Sequence, residues 1–121
     1  IVLIRTGYGK FWPDREKYMG TAERGEEAVA KLHFPGLHPD AAQWLVENRV
    51  IHSIGLDTPS IDYGQSKRFE SHRILFEQNI PAFENLANLD ILPNKGFDVI
   101  ALPMKIAGGS GGPLRIVAVV P

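Results

Sequence analysis

Two residues of types that bind divalent metals, His72 and Glu84, stand twelve positions apart in the stretch Glu70-Ser-His-Arg-Ile-Leu-Phe-Glu-Gln-Asn-Ile-Pro-Ala-Phe-Glu-Asn-Leu86. The chain has no cysteine, so no thiolate site is available, and imidazole and carboxylate are its strong ligands. The spacing puts the two on either side of a helix end. Phe69, His72 and Phe76 fall at i, i+3 and i+7 of a helix expected over about residues 66–78, which would turn His72 inward. Asn79 suits the stop of that helix, and Ile80 to Glu84 reads as a short extended piece delivering Glu84 inward. A buried carboxylate needs a cation, hydrogen-bond donors or a metal. Either a structural His–Glu contact or a metal pair meets this spacing, and on spacing alone the structural contact is the commoner outcome.

Other candidates surround this pair. Asp57, Ser60 and Asp62 crowd into Gly55-Leu-Asp-Thr-Pro-Ser-Ile-Asp62, directly after an expected strand over residues 50–55. The carboxyl ends of strands are where open α/β sheets bind ligands, which makes these three candidates for shaping a substrate pocket. Turn chemistry explains the same residues equally well, because Asp, Ser and Pro all favour turns. Trp12 and Tyr18 lie in a long polar excursion, residues 10–36, where they either roof a pocket or pin the loop to the body. His52 falls inside the expected strand, where a packed or half-exposed imidazole is the ordinary outcome. The glycine-rich run Lys105-Ile-Ala-Gly-Gly-Ser-Gly-Gly-Pro113 could let backbone amides approach an anion, or simply connect two strands as a hairpin. It is not a phosphate-binding P-loop, since no Gly-Lys-Ser/Thr occurs and no helix follows.

The elements that must position these groups alternate in type. Ile-Val-Leu-Ile-Arg at residues 1–5 is an aliphatic run of the kind found in a central strand covered on both faces, closed by Thr6-Gly-Tyr-Gly9. Such a strand rarely starts without a lead-in, so an upstream, N-terminal portion of the fold is expected to lie outside the chain. Residues 26–32 could form a short helix. Pro39 and Asp40 mark the start of a clearer helix ending near Asn48, with Ala41, Ala42, Leu45 and Val46 as its inward stripe. Two more strands follow at residues 97–104 and 114–120. The order is that of an α/β protein.

At 121 residues and 13.4 kDa, the chain has the size of one domain. Its 13 basic and 14 acidic residues are intermixed and leave a net charge of −1, which argues against nucleic acid and anionic membranes as partners. No apolar run approaches the roughly 18 residues of a membrane span, and the N-terminus has no signal-peptide pattern, so the chain reads as soluble, with its compartment left open.

Taken in order, the patches Phe34-Pro-Gly-Leu-His-Pro39, Gly55-x-Asp-Thr-Pro-Ser-Ile-Asp62, His72 with Glu84-Asn-Leu86, and Lys105-Ile-x-Gly-Gly-Ser-Gly-x-Pro113-x-Arg115 resemble the second half of the cyclase-like metal-dependent hydrolase family, which includes bacterial kynurenine formamidase and isatin hydrolase. The resemblance covers essentially the whole chain. It implies a swivelling α/β fold with a mixed sheet and flanking helices, of which residues 1–121 would be the C-terminal portion of a single domain. It also implies hydrolysis of an amide bond in a formyl-amine or cyclic amide with one or two divalent ions, zinc or manganese, and it makes His72 and Glu84 metal ligands. The family's remaining ligands come from an upstream motif, His-x-Gly-Thr-His-x-Asp-x-Pro, that no segment of this chain resembles. His33 and His38 lack its Gly-Thr and Asp, and His38 sits at an expected helix N-cap. The catalytic base, unknown from this chain, is expected from that missing half. The expected partners are a small-molecule amide substrate and either a second copy of the chain or a missing N-terminal part. The competing reading is a non-catalytic binding or structural protein that retains the fold without the metal motif.

Overall fold

The structure is a computed structural model describing residues 1–121. It divides into two compact units, Ile1–Asp90 and Ile91–Pro121.

The first unit is built on a three-stranded parallel sheet in the order β1-β2-β3, with β1 at Val2–Ile4, β2 at Ile54–Leu56 and β3 at Ala82–Phe83. Val2 pairs with Ile54 and Ile4 with Leu56, while Ile54 pairs with Ala82. Parallel strands need long crossovers, and here helices lie within both of them. The first crossover holds α1 (Arg15–Met19) and α2 (Pro39–Asn48), and the second holds α3 (Glu70–Phe76). The core gathers Leu37, Ala42, Ile54, Leu56, Ile61, Leu75 and Ile80, with Leu45, Val46 and Ile74 packed against it from the helices. Ile54 and Leu56 are completely buried, each contributing about 1.5–3 kcal/mol by leaving water. Between them Gly55 has a packing reason to be glycine. A Cβ there would lie 2.5 Å from Leu86 Cδ1 and 3.0 Å from Leu3 Cδ2, so its absence lets both leucines close on β2.

The α/β class expected from the sequence holds, and several placements within it change. The central strand is β2, not residues 1–5, because β1 lies at the sheet edge in this chain and its residues are only half-buried. The strand expected at residues 50–55 starts four residues later. Val50 is 91% exposed, and His52 is an exposed bend residue outside any strand. α2 matches its expected limits, and His38 caps it, its Nδ1 accepting from the Asp40 amide at 3.2 Å. Ala41 is exposed, leaving Ala42, Leu45 and Val46 as the packing stripe.

The excursion over residues 10–36 is more ordered than its polarity suggests. Asp14 caps α1 by accepting from the Lys17 amide, and Gly20 ends the helix at φ 86°. A Cβ on Gly20 would lie 2.6 Å from His33, whose amide donates to the Met19 carbonyl. Residues Glu26–Lys31 form a 3-10 helix where a short helix was expected.

The second unit contains one antiparallel pair, β4 (Asp98–Pro103) with β5 (Leu114–Val119), in register from Asp98↔Val119 to Pro103↔Leu114. The parallel and antiparallel strands thus form two separate sheets within this chain. The glycine-rich run is the connection between β4 and β5, closed by the Met104 amide on the Pro113 carbonyl at 3.0 Å. No helix is long and apolar enough to cross a membrane.

Candidate functional site

Helix α3 is shorter than expected, and its buried face lies beside the aromatic stripe, not along it. Its buried residues are Ser71 and Leu75, one helical turn apart, with Ser71 Oγ donating to the Leu37 carbonyl at 2.7 Å. Leu75 and Ile74 supply the aliphatic contact with the core, and this sets the helix rotation. The stripe Phe69-His72-Phe76 consequently flanks that face, with its two phenylalanines at the surface. Phe69 and Phe76 are about half exposed, and the His72 side chain retains 23% of its surface. His72 points inward as the periodicity predicted, but onto the buried carboxylate of Asp62 and not into the aliphatic core. Its ring stands edge-on between Phe69 and Phe76, with centroids 5.9 and 5.3 Å away and planes at 87° to both.

Both ring nitrogens of His72 face carboxylates. Nδ1 is 2.5 Å from Asp62 Oδ2, and Nε2 is 3.2 Å from Glu84 Oε1. The convergence of His72 and Glu84 that their spacing allowed is therefore present, although Glu84 is partly exposed and not buried. Glu84 reaches this point because β3 runs parallel to β2 and ends beside the loop that follows β2. The Asn85 amide donates to the Thr58 carbonyl at 2.8 Å and the Leu86 amide to the Leu56 carbonyl at 3.0 Å. Glu84 Oε1 also accepts from the Ile61 amide at 3.0 Å.

The three loop candidates separate sharply. Asp57 is buried and faces the turn after β1, where it accepts from the Thr6 amide (2.8 Å), the Thr6 hydroxyl (2.7 Å) and the Gly7 amide (2.9 Å), with the Gly9 amide at 3.4 Å. Burial pushes its carboxyl up, but these donors outweigh that and hold it below the ordinary carboxylate range. Ser60 is half-buried, and its carbonyl accepts from the Thr58 hydroxyl at 2.8 Å. Asp62 is buried, and its oxygens take the amides of Ser71 and His72 as well as the His72 ring.

Trp12 is 68% exposed and stands edge-on to Tyr18, with centroids 5.6 Å apart. Tyr18 takes the second of the two roles expected for the aromatics of the excursion and pins it to the body. It is buried, and its phenol oxygen lies 3.0 Å from Asn85 Oδ1 and 3.2 Å from the Asp57 carbonyl. Burial, with the charges of Asp57 and Glu84, pushes its pKa up to about 12, so it remains a donor at neutral pH. The tyrosine thereby joins the excursion to the ends of β2 and β3.

A divalent ion fits the His72–Glu84 pair by the chemistry of the donors. With Nδ1 donating to Asp62, a neutral His72 presents the lone pair of Nε2 toward a carboxylate oxygen, and two acceptors at 3.2 Å suit a cation between them. The chain contains no group of three or more His, Asp or Glu side chains disposed to hold a metal. Asp62 does not make a third donor, because it occupies the opposite nitrogen of the same ring.

Comparison with known proteins adds to this geometry. The family described as "Putative cyclase" matches residues 1–63. The isatin hydrolase of Roseibium aggregatum is 35% identical over 99% of the chain and 44% of its own length. The kynurenine formamidase of Bordetella petrii is 37% identical over 69% of the chain and 39% of its own length. Among solved structures, isatin hydrolase A from Ralstonia solanacearum superposes with a TM-score of 0.85 at 35% identity, over 99% of this chain and 45% of that one. The chain therefore spans less than half the length of the relatives it matches.

Proposed function

Since the chain belongs to the cyclase family, we propose that it is the downstream portion of one cyclase-like domain and contributes His72 and Glu84 to a divalent metal centre that hydrolyses an amide bond. The substrate class is a formyl-amine or a cyclic amide, in keeping with similarity to a kynurenine formamidase and an isatin hydrolase. The observation that carries the reading is the approach of His72 Nε2 to Glu84 Oε1 at 3.2 Å, on a ring whose other nitrogen is already engaged.

When bound, a zinc or manganese ion supplies Lewis acidity, polarising a carbonyl and making water more acidic. The chain's own residues would do the rest of their work as a holder. His72 and Glu84 donate to the ion, the Ile61 amide fixes the carboxylate, and Phe69 and Phe76 restrict the imidazole. Two protein donors are fewer than the three usual at a catalytic zinc, so further donors would come from outside this chain. Trp12 and the loop bearing Asp57, Ser60 and Asp62 were the sequence candidates for the substrate pocket. Of these, exposed Trp12 keeps a free face for a planar group, whereas Asp57 and Asp62 are occupied by the protein's own donors.

The test combines binding and turnover. Calorimetric titration of the protein with Zn²⁺ and Mn²⁺ should give binding that His72→Ala and Glu84→Gln each weaken at least tenfold. In the presence of the ion and of the upstream portion that supplies the remaining donors, an aryl formamide or isatin should be hydrolysed, and both substitutions should lower the rate. Equal metal affinity in wild type and both variants would overturn the ligand assignment. Metal binding without hydrolysis of either substrate would favour a non-catalytic protein on the same fold.

A further inference from the structure

Helix α3 begins without a cap of its own. Phe69 holds the N-cap position at φ 50°, in the left-handed region, and offers no side-chain acceptor to the first turn. The missing acceptor comes from upstream. Asp62 Oδ1 accepts from the Ser71 amide at 3.1 Å, and Oδ2 accepts from the His72 amide at 3.2 Å. The same Oδ2 faces His72 Nδ1. One buried carboxylate thus binds both the backbone that starts the helix and the side chain that the helix presents.

The chemistry of that contact is directional. An ionised carboxylate only accepts, so the ring nitrogen facing it must hold the hydrogen. Glu84 is an acceptor too, and a neutral His72 can donate to only one of the two carboxylates; the shorter contact, 2.5 Å against 3.2 Å, and the deeper burial of Asp62 favour the Nδ1–H form, leaving Nε2 as the lone-pair nitrogen on the side of Glu84. Without Asp62, Glu84 would be the carboxylate left at the ring and would draw the hydrogen to Nε2, the form with no lone pair to give a metal. We propose that Asp62 is the positioning residue of this site: it selects the His72 tautomer able to donate through Nε2 and aims the ring, using the oxygens that also begin α3. Its burial is what makes the selection firm, because water cannot readily replace the imidazole at Oδ2.

This deepens the metal reading and rests on it for its purpose, but its test is separate. In the metal-free protein labelled with ¹⁵N at histidine, at a pH where His72 is neutral, the wild-type ring should show a protonated Nδ1 and a bare Nε2. Asp62→Asn keeps an oxygen for the Ser71 amide and can turn an NH₂ toward the ring. It should move the population to Nε2–H and weaken Zn²⁺ binding about 10–100-fold, the usual cost of losing an outer partner of a ligating histidine. A wild-type ring in the Nε2–H form, or an Asp62→Asn ring unchanged from wild type, would overturn the proposal. Should Asp62→Asn fail to fold, the wild-type tautomer decides alone, through the Nδ1-bound proton and its coupling across the hydrogen bond to Asp62. Weakened metal binding in Asp62→Asn with an unchanged tautomer would remove the positioning role and leave the metal reading. An Nδ1–H ring in a wild-type protein that binds no metal would do the reverse.

Discussion

The turn after β1 and the first turn of α3 are each held by one buried aspartate, and the two come from the same loop, five positions apart. Asp57 reaches back to Thr6 and Gly7, and every donor it takes is a backbone amide or a threonine hydroxyl. Asp62 reaches forward to Ser71 and His72, and one of its partners is an imidazole. Burial and amide donors are common to both. What separates a staple of the fold from a member of the site is one partner whose own protonation pattern the carboxylate can set. Residue type, burial and position in a loop at a strand end do not distinguish them.

The comparison can be broken most decisively at Asp57. Asp57→Ala removes three short hydrogen bonds to a buried charge and leaves the Thr6 and Gly7 amides without that acceptor. Urea unfolding should show a loss of about 3–5 kcal/mol, with the His72 tautomer untouched in whatever fraction remains folded. A loss below about 1 kcal/mol would mean that the turn after β1 holds itself. A subtler form of the same experiment uses acid. Asp57 titrates below its ordinary value of 3.8 in the folded state, so its stabilisation is complete above that value and is lost as pH falls through the lower folded one. Between about pH 5 and pH 3, wild type should therefore lose more stability than Asp57→Ala, whose curve lacks this contribution. Parallel curves would show that Asp57 is not the group being titrated. The smallest effect is expected at Tyr18, which ties the excursion to the Asp57 carbonyl and Asn85. Tyr18→Phe keeps the buried ring and loses one shared hydrogen bond. It should cost about 1 kcal/mol in the same unfolding assay, and a neutral result would indicate that ring packing alone holds the excursion.

Much of the fold was legible because local rules and tertiary packing agreed. α2 carries Pro39 in its first turn and a four-position apolar spacing, and it forms over Pro39–Asn48 as expected. The β4–β5 pair was visible as two β-branched runs around a glycine-rich connection. α3 was misread because Phe69, His72 and Phe76 make a periodic stripe that competes with Ser71 and Leu75. Aromatic residues outweighed a serine in the pattern, yet the serine hydroxyl has a buried acceptor and the phenylalanines border the imidazole at the surface. His72 and Glu84 could be named as a pair from the sequence, and their 3.2 Å approach follows from the pairing of β3 with β2. The division of labour between Asp57 and Asp62 could not be read, since both sit in one turn-rich loop and only the folded chain shows which way each carboxylate faces. That Tyr18 would pin the excursion was one of the two roles expected for it, but its partners were hidden for a similar reason. Nothing in a polar excursion marks which aromatic will find two acceptors at the ends of β2 and β3.

The left-handed Phe69 has a consequence for motion. Because this residue gives α3 no cap, the amides of Ser71 and His72 are shielded from exchange by Asp62, not by the helix's own start. Fraying of that first turn and release of the imidazole are then one event with one opening rate. The deuterium uptake of two backbone amides becomes a clock for how often the site comes apart.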